Sequence, residues 1–280
     1  MKELFDEVSS NCSKLVTKKY STSFSLAVKM LSPKIRTAIY NIYGFVRFAD
    51  EIVDSFHQYD KEKLINKFEA DYYDALEDGI SLNPILNAFQ QTVFQYHISD
   101  NLVQSFLKSM KADLYKTAYK TKEEYDSYIY GSADVVGLMC LKVFVNGDSE
   151  KYDELKFAAM RLGSAFQKVN FLRDLKDDIE GLHRSYFPNV DFKTLDNESK
   201  NQIIKEIEED FDVAFKEGIL KLPVEAKFGV YVAYRYYKRL LKKLKQTPSS
   251  KIMETRVRIS NPMKINLLAR SFVKYKLNLI

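Results

Sequence analysis

The sequence predicts an all-α fold, and three observations carry that prediction. Gly (9) and Pro (6) are scarce among 280 residues. Apolar residues recur at three- and four-residue spacing along most of the chain. There is no strong alternating strand pattern and no hairpin built on Asn-Gly or Asp-Gly. A hydrophobic content of 46% is enough for a large core. No Pro/Ser-rich linker and no repeat of 20–50 residues divides the chain, so one domain over residues 1–280 is expected.

Punctuation places the helices in order. "LSPK" sets Pro33 in the first turn of a helix running to about residue 57. "SLNPIL" starts another near Pro84, and "ISDN" offers a cap near Ser99. "YKTKEEYDSY" opens a helix that runs on through "GSADVVGLMCLKVF". After the loop "NGDS" a long helix reaches about residue 181, and "RSYFPNVDF" breaks the chain at Pro188. Pro223 separates two further helices, "KQTPSSK" is another break, and a short amphipathic helix follows Pro262.

Composition narrows the function classes. Lys and Arg exceed Asp and Glu by 43 to 38, a net charge of +5, which permits an anionic partner without requiring one. Cys12 and Cys140 have no Cys or His at metal-ligand spacing, and only three His exist. A reducing compartment with no disulfide and no zinc or His-based metal centre is expected. The N-terminal segment has acids and no apolar h-region, and no run approaches 18 apolar residues. A cytoplasmic protein is therefore expected. Six basic residues fall in the eleven from Arg235 to Lys245. Without a zinc-finger or basic-zipper context they do not indicate nucleic-acid binding. A solvated helix face explains them, with weak docking to anionic lipid at the inner membrane face as the alternative.

Two helices carry an oddity. In "YGFVRFADEIVDSF" Asp50 and Asp54 lie four apart, and in "GSAFQKVNFLRDLKDDIEG" Asp174 and Asp178 do the same. Like charges at this spacing cost an isolated helix roughly 0.2–0.5 kcal/mol per pair. At 100° per residue, Tyr43, Arg47, Asp50 and Asp54 form one stripe, and Gly163, Gln167, Asn170, Asp174 and Asp178 form another. A solvated face with local Arg–Asp pairs is the plain explanation of either pair alone. Two features argue against it. Val46, Ile52 and Val53 flank the first pair, and the amides of Gln167 and Asn170 extend the second. The functional explanation is a site for Mg²⁺, with Mn²⁺ as an alternative ion, and diphosphate. Mg²⁺ keeps several waters and binds through one or two carboxylates plus phosphate oxygens.

At these residues the chain resembles the squalene/phytoene synthase family, over about residues 10 to 245 and most like the bacterial-type phytoene synthases. "YSTSFSLAVKMLS" is similar to the family's N-terminal Ser-Phe segment, "RFADEIVD" to its first aspartate-rich motif, "YIYGSADVVGLM" to its Tyr, small-residue, Val-Gly segment, and "FQKVNFLRDLKDDIEGLHRSYFP" to its second motif. The resemblance implies an isoprenoid-synthase helical bundle with a central active-site cavity. It also implies Mg²⁺-dependent head-to-head condensation of two prenyl diphosphates through a cyclopropylcarbinyl diphosphate. Two C20 geranylgeranyl diphosphates would give phytoene with no NADPH. The alternatives are squalene or dehydrosqualene from two C15 farnesyl diphosphates, or a non-catalytic helical scaffold.

The resemblance assigns Asp50, Asp54, Asp174 and Asp178 to the metal. Gln167, Asn170 and Ser23 fall to the diphosphate side. Arg47, Arg173 and Arg184 are candidate diphosphate partners, because guanidinium offers paired donors to phosphate oxygens. Tyr130 matches the motif tyrosine, and Tyr237 resembles a cavity tyrosine on a late helix; both would stabilise cationic intermediates. Gly131, Ala133 and Gly137 either leave room for prenyl chains or let helices pack closely. The chain departs from the family's pattern at Thr22, where many members have Lys, at Asp134, where Gly is common, and at Glu51, an extra acid.

Overall fold

A computed structural model describes residues 1–188 and 195–280. Regular structure among them is helical, apart from an isolated bridge between Ala118 and Ser185. Thirteen α-helices follow in order: α1 Lys2–Tyr20, α2 Thr22–Val28, α3 Pro33–Ser55, α4 Lys61–Asp78, α5 Pro84–Tyr96, α6 Asp100–Ala112, α7 Lys122–Ile129, α8 Val135–Phe144, α9 Ser149–Gly181, α10 Asn197–Val213, α11 Val224–Gln246, α12 Ser249–Glu254 and α13 Asn261–Lys276. The Pro33, Pro84, Pro223 and Pro262 boundaries fall as the sequence indicates. The break at Pro188 continues into residues 189–194, which lie outside the described residues.

Helix α3 is the hub. It packs against α1, α4, α5, α6 and α8. Phe45 is fully buried at its centre, stacked on Phe89 of α5 at 4.0 Å and on Phe68 of α4 at 5.3 Å between ring centroids. Phe106 of α6 approaches the same ring at 5.8 Å. These rings fix three helices to α3 and so set where its acidic stripe points. Helix α9 is the second hub, against α8, α10, α11 and α12.

The predicted helix through residues 122–144 is continuous but widens at its middle. Between α7 and α8, residues Tyr130–Asp134 wind as a π-helix. Such widened turns concentrate at functional sites. The small residues here serve close packing, not room for substrate. A Cβ on Gly131 would sit 1.9 Å from Ser109 Oγ and 2.8 Å from the Ser105 carbonyl oxygen. One on Gly137 would meet the Ala159 carbonyl oxygen at 3.0 Å, and one on Gly163 of α9 would meet the Ala133 carbonyl oxygen at 2.9 Å. Asp134 is buried and accepts a hydrogen bond from Ser164 Oγ at 2.7 Å, which clips the π segment to α9. Burial raises its carboxyl to about 7, and the Ser164 bond opposes that rise.

Two stability predictions follow from this packing. Phe45→Ala should cost about 3–5 kcal/mol, because the ring has no route for the core to collapse into its volume. Equilibrium urea unfolding checks it. Asp134 titrates higher in the folded chain than its ordinary 3.8, so the folded state holds the extra proton and stability falls as pH rises from about 4 through about 7. Asp134→Asn keeps an acceptor for Ser164 without the charge. It should be nearly neutral at about pH 3.5, where the carboxyl is protonated in both states, and stabilising by about 1–3 kcal/mol at pH 8, read from melts at both values.

Candidate active site

The two acidic stripes face one cavity of about 760 Å³. Tyr43, Arg47, Asp50 and Asp54 of α3 line it, as do Gln167, Asn170, Arg173, Asp174 and Asp178 of α9. Ser23 lines it from α2, Tyr237 from α11, and Arg184 from the loop after α9. Eleven of the twelve residues singled out from sequence therefore meet in one place. The exception is Tyr130, which is 39% exposed and lies outside the cavity lining. Tyr128 and Ser132, four apart, point inward instead, and Tyr130 falls between them on the far side of the turn.

Arginines cover the carboxylates. Arg47 pairs with Asp50 and Glu51 and lies 4.4 Å over the ring of Tyr20. Arg173 grips Asp174 with two nitrogens, one of them at 2.8 Å. Arg256, on the segment between α12 and α13, adds a 2.7 Å contact to the same carboxylate. Arg184 is 5% exposed. It donates to Asp54 Oδ1 at 2.7 Å and to the Asp113 carbonyl oxygen at 2.8 Å. It is thus a buried strut between carboxylates, not an open donor facing the cavity mouth. Among the described residues Asp178 alone of the four has no cation on it. Burial, then repulsion from Asp54, pushes Asp50 up to about 7. Burial, then repulsion from Asp174, pushes Asp178 up to about 8.

The polar wall grades into an aromatic floor. Tyr237 stacks on Phe166 at 4.0 Å, and its hydroxyl donates to Asn170 Oδ1 at 3.2 Å. Gln167 reaches Ser132 Oγ at 3.5 Å. Tyr186 stacks on Phe171 at 3.9 Å, with Tyr128 at 5.4 Å from Tyr186. Phe24 stacks on Tyr43 at 4.9 Å on the other side. Rings in offset stacks present negative faces and a dry surface.

Besides the aromatic side chains of the floor, several ionisable contributors escaped the sequence reading. Asp113 is buried, accepts from Tyr128 Oη at 2.8 Å, and is raised by burial to about 7. Its signal was present: it continues the apolar stripe Leu102, Phe106, Met110 of α6, where an acid is out of place. Arg256 carried no local signal. Nor did Lys264, whose Nζ donates to Thr22 Oγ1 at 2.9 Å and supplies a cation where Thr22 itself does not.

The donor set fits a metal that arrives with its ligand. Among the described residues no group of three acids converges as a ready-made metal cage. The carboxylates are spread as pairs on two helices, which suits Mg²⁺ bound partly through phosphate oxygens and water. The lining holds five carboxylates and six cationic side chains. The arginine charge is therefore largely neutralised, and a diphosphate needs further positive charge to enter.

The squalene/phytoene synthase family profile matches residues 17–262. The chain is 28% identical over 256 residues to a chloroplastic phytoene synthase of Daucus carota, an alignment covering 85% of this chain and 63% of the relative. It thus spans somewhat less than two thirds of that relative's length. It is 25% identical over 287 residues to the 15-cis-phytoene synthase of Synechocystis, covering 92% and 83%. A crystal structure of a dehydrosqualene synthase with ligand superposes with a TM-score of 0.81 at 20% identity, over 97% of this chain and 98% of the other. That likeness shows the isoprenoid-synthase helical fold. By sequence, the chain belongs to the squalene/phytoene synthase family.

Proposed function

We propose that the chain is a prenyltransferase that joins two prenyl diphosphates head to head. The supporting observation is the facing of the Asp50/Asp54 and Asp174/Asp178 pairs across one cavity whose floor is aromatic. In the first half-reaction the C1–O bond of the donor breaks and diphosphate leaves. C1 bonds to the acceptor's double bond, and loss of one proton closes the cyclopropane. In the second, the remaining C–O bond breaks, the skeleton rearranges, and loss of another proton gives the C40 hydrocarbon with a conjugated triene at its centre. Two diphosphates and two protons are released. Bound Mg²⁺ would supply Lewis-acid neutralisation of the leaving diphosphate.

The residues divide the work. Asp50, Asp54, Asp174 and Asp178 would hold the metal, with Asn170 and Gln167 orienting its waters or the diphosphate. Arg47 and Arg173 would take phosphate oxygens once their carboxylates turn to the metal, since a guanidinium matches either partner with paired donors. Arg256 and Lys264 stand at the mouth to meet the incoming charge. Arg184 and Asp113 hold Asp54 and Tyr128 in place. The ring faces of Tyr128, Phe171 and Tyr186 would attract the carbocation, as aromatic faces do.

Geranylgeranyl diphosphate is the proposed substrate and phytoene the product, because the relatives in sequence are named phytoene synthases. The second reading is two farnesyl diphosphates giving dehydrosqualene. The structural likeness to a dehydrosqualene synthase favours it. The first experiment incubates purified protein and Mg²⁺ with C15 or C20 prenyl diphosphate, with and without NADPH, and identifies the hydrocarbon by mass. C40 phytoene without NADPH is expected. A C30 product would move the substrate and keep the reaction, and no product in folded protein would return the chain to the scaffold reading.

Metal binding has its own test. Mg²⁺ and inorganic diphosphate together should raise the melting temperature, by an amount corresponding to about 3 kcal/mol near one hundred times the dissociation constant. Either alone should shift it far less, because the arginines already occupy the carboxylates. Asp178→Ala should abolish the joint shift and lower turnover by roughly 10²–10³-fold, the equivalent of several kcal/mol of Lewis-acid stabilisation. An unchanged shift in that variant would refute the assignment.

A further inference from the structure

The basic stretch 235–245 divides in the structure. Part of it is engaged: Lys238 pairs with Asp212, Lys245 with Glu208, and Arg235 donates to Tyr231 Oη. Arg239 and Lys243 are not. They lie four apart on α11, a spacing at which like charges repel. Both line a second hollow of about 480 Å³, within the range of ligand pockets, about 300–1,000 Å³. Arg258, on the segment before α13, lines it too. The lining thus holds three cations and no acid. Among the described residues none of the three is in an ion pair, unlike Arg256 two positions away.

The hollow has a fixed frame. Lys243 Nζ donates to the Arg258 carbonyl oxygen at 2.7 Å, which pins the Arg258 segment to α11 and leaves the ammonium two further donors. Ser260 and Asn261, where α13 starts, complete the lining, and no side chain caps that helix end. Burial, then the Arg258 charge, lowers the Lys264 ammonium from its ordinary value, as expected beside surplus positive charge. The other charged cluster away from the active site shows no such surplus. There Lys168 and Arg161 are balanced by Glu206 and Asp210.

Three converging cations suit a small anion with several charged oxygens, and a diphosphate offers both terminal phosphoryl groups to them. The hollow also adjoins the active-site cavity, since Arg258, Ile259 and Asn261 line both. Charge differs across that shared wall. On the inside Arg47, Arg173 and Arg256 already sit on carboxylates. On the outside the cations are open to an anion. We infer that Arg239, Lys243 and Arg258 form a metal-independent docking site for a diphosphate group, which holds an entering prenyl diphosphate at the cavity mouth before it meets metal. Its place in the reaction rests on the proposed function, whereas its binding of the anion does not.

Binding is tested by phosphorus NMR titration of inorganic diphosphate in metal-free buffer at about 0.1 M salt. The parent chain and Asp178→Ala should bind equally, because the metal site is not involved. Arg239→Gln/Lys243→Gln should bind about tenfold more weakly or worse. Lys242→Gln, outside the lining, should bind as the parent does. Should the double variant fail to fold, Arg258→Gln, outside any helix, takes its place. No binding by the parent overturns the proposal, as does equal binding by the double variant. Glycerol phosphate bound as tightly as diphosphate also overturns it, assigning the hollow to phosphate monoesters or lipid headgroups. In turnover with prenyl diphosphate, the double variant should raise KM about fivefold or more and leave kcat within about twofold. An unchanged KM beside lost anion binding overturns the docking role. A parent that binds diphosphate without metal but forms no hydrocarbon refutes the proposed function and leaves the anion site standing.

Discussion

Mutual repulsion among carboxylates in one half-buried cavity is the constraint on which the rest of the molecule depends. Five of them line the same space, and the raised values of Asp50, Asp113 and Asp178 record the cost of burying them there. Such a cluster tolerates folding only when cations are fixed beside it. The chain draws those cations from far apart in sequence: Arg47 on α3, Arg173 on α9, Arg184 after it, and Arg256 near the end. The arginine contacts therefore tie the beginning, middle and end of the chain to one point. Removing a partner from such a buried pair leaves an uncompensated charge, which is why these contacts constrain geometry more than they add net stability.

Holding the two stripes opposite each other is the task of apolar packing. Phe45 sits five residues before Asp50 on the opposite side of α3 and locks that helix to α4, α5 and α6. Backbone contact between Gly163 and Ala133, and the Asp134–Ser164 bond, lock α9 to the π segment. The wide turn lets Tyr128 and Ser132 both reach the cavity while Gly131 presses on Ser109. Substitution of Gly by Asp at position 134 would be costly in a helix with no partner for the acid. Here Ser164 supplies the partner, so the departure from the family's pattern is accommodated within the same turn.

Local features were legible in the sequence and distant ones were not. Helix boundaries followed Pro33, Pro84 and Pro223 because proline acts on its own turn. The acidic stripes followed from the 3.6-residue period and needed no partner helix to be seen. The plain reading of Arg–Asp pairs also proved accurate in its contacts, since Arg47 does meet Asp50 and Arg173 does meet Asp174. What differs is their place, lining a cavity instead of open solvent. Tyr130 lies outside the cavity lining because a motif match fixes a residue's order, whereas one extra residue in the helical turn decides which side it faces. Arg256 and Lys264 were invisible because their partners, Asp174 and Thr22, lie 82 and 242 residues away.

The choice of arginine over lysine at the carboxylates bears on how the site changes when it is filled. A lysine leaving Asp50 or Asp174 would exchange a point contact for water. A guanidinium can pass from a carboxylate to a phosphate with both paired donors satisfied at each end. The two states then differ mainly in which anion the arginine holds, so filling the site need not leave a buried charge alone at any stage. Arg184 is the exception, held by Asp54 and by the Asp113 carbonyl inside the protein, and burial leaves it nowhere to swing. The site thus has two kinds of arginine, one fixed as a strut and the others placed where an exchange of partners costs little. Under the proposed function, that division would let a cavity with five acids and six cations take a highly charged ligand without leaving a buried charge unpaired.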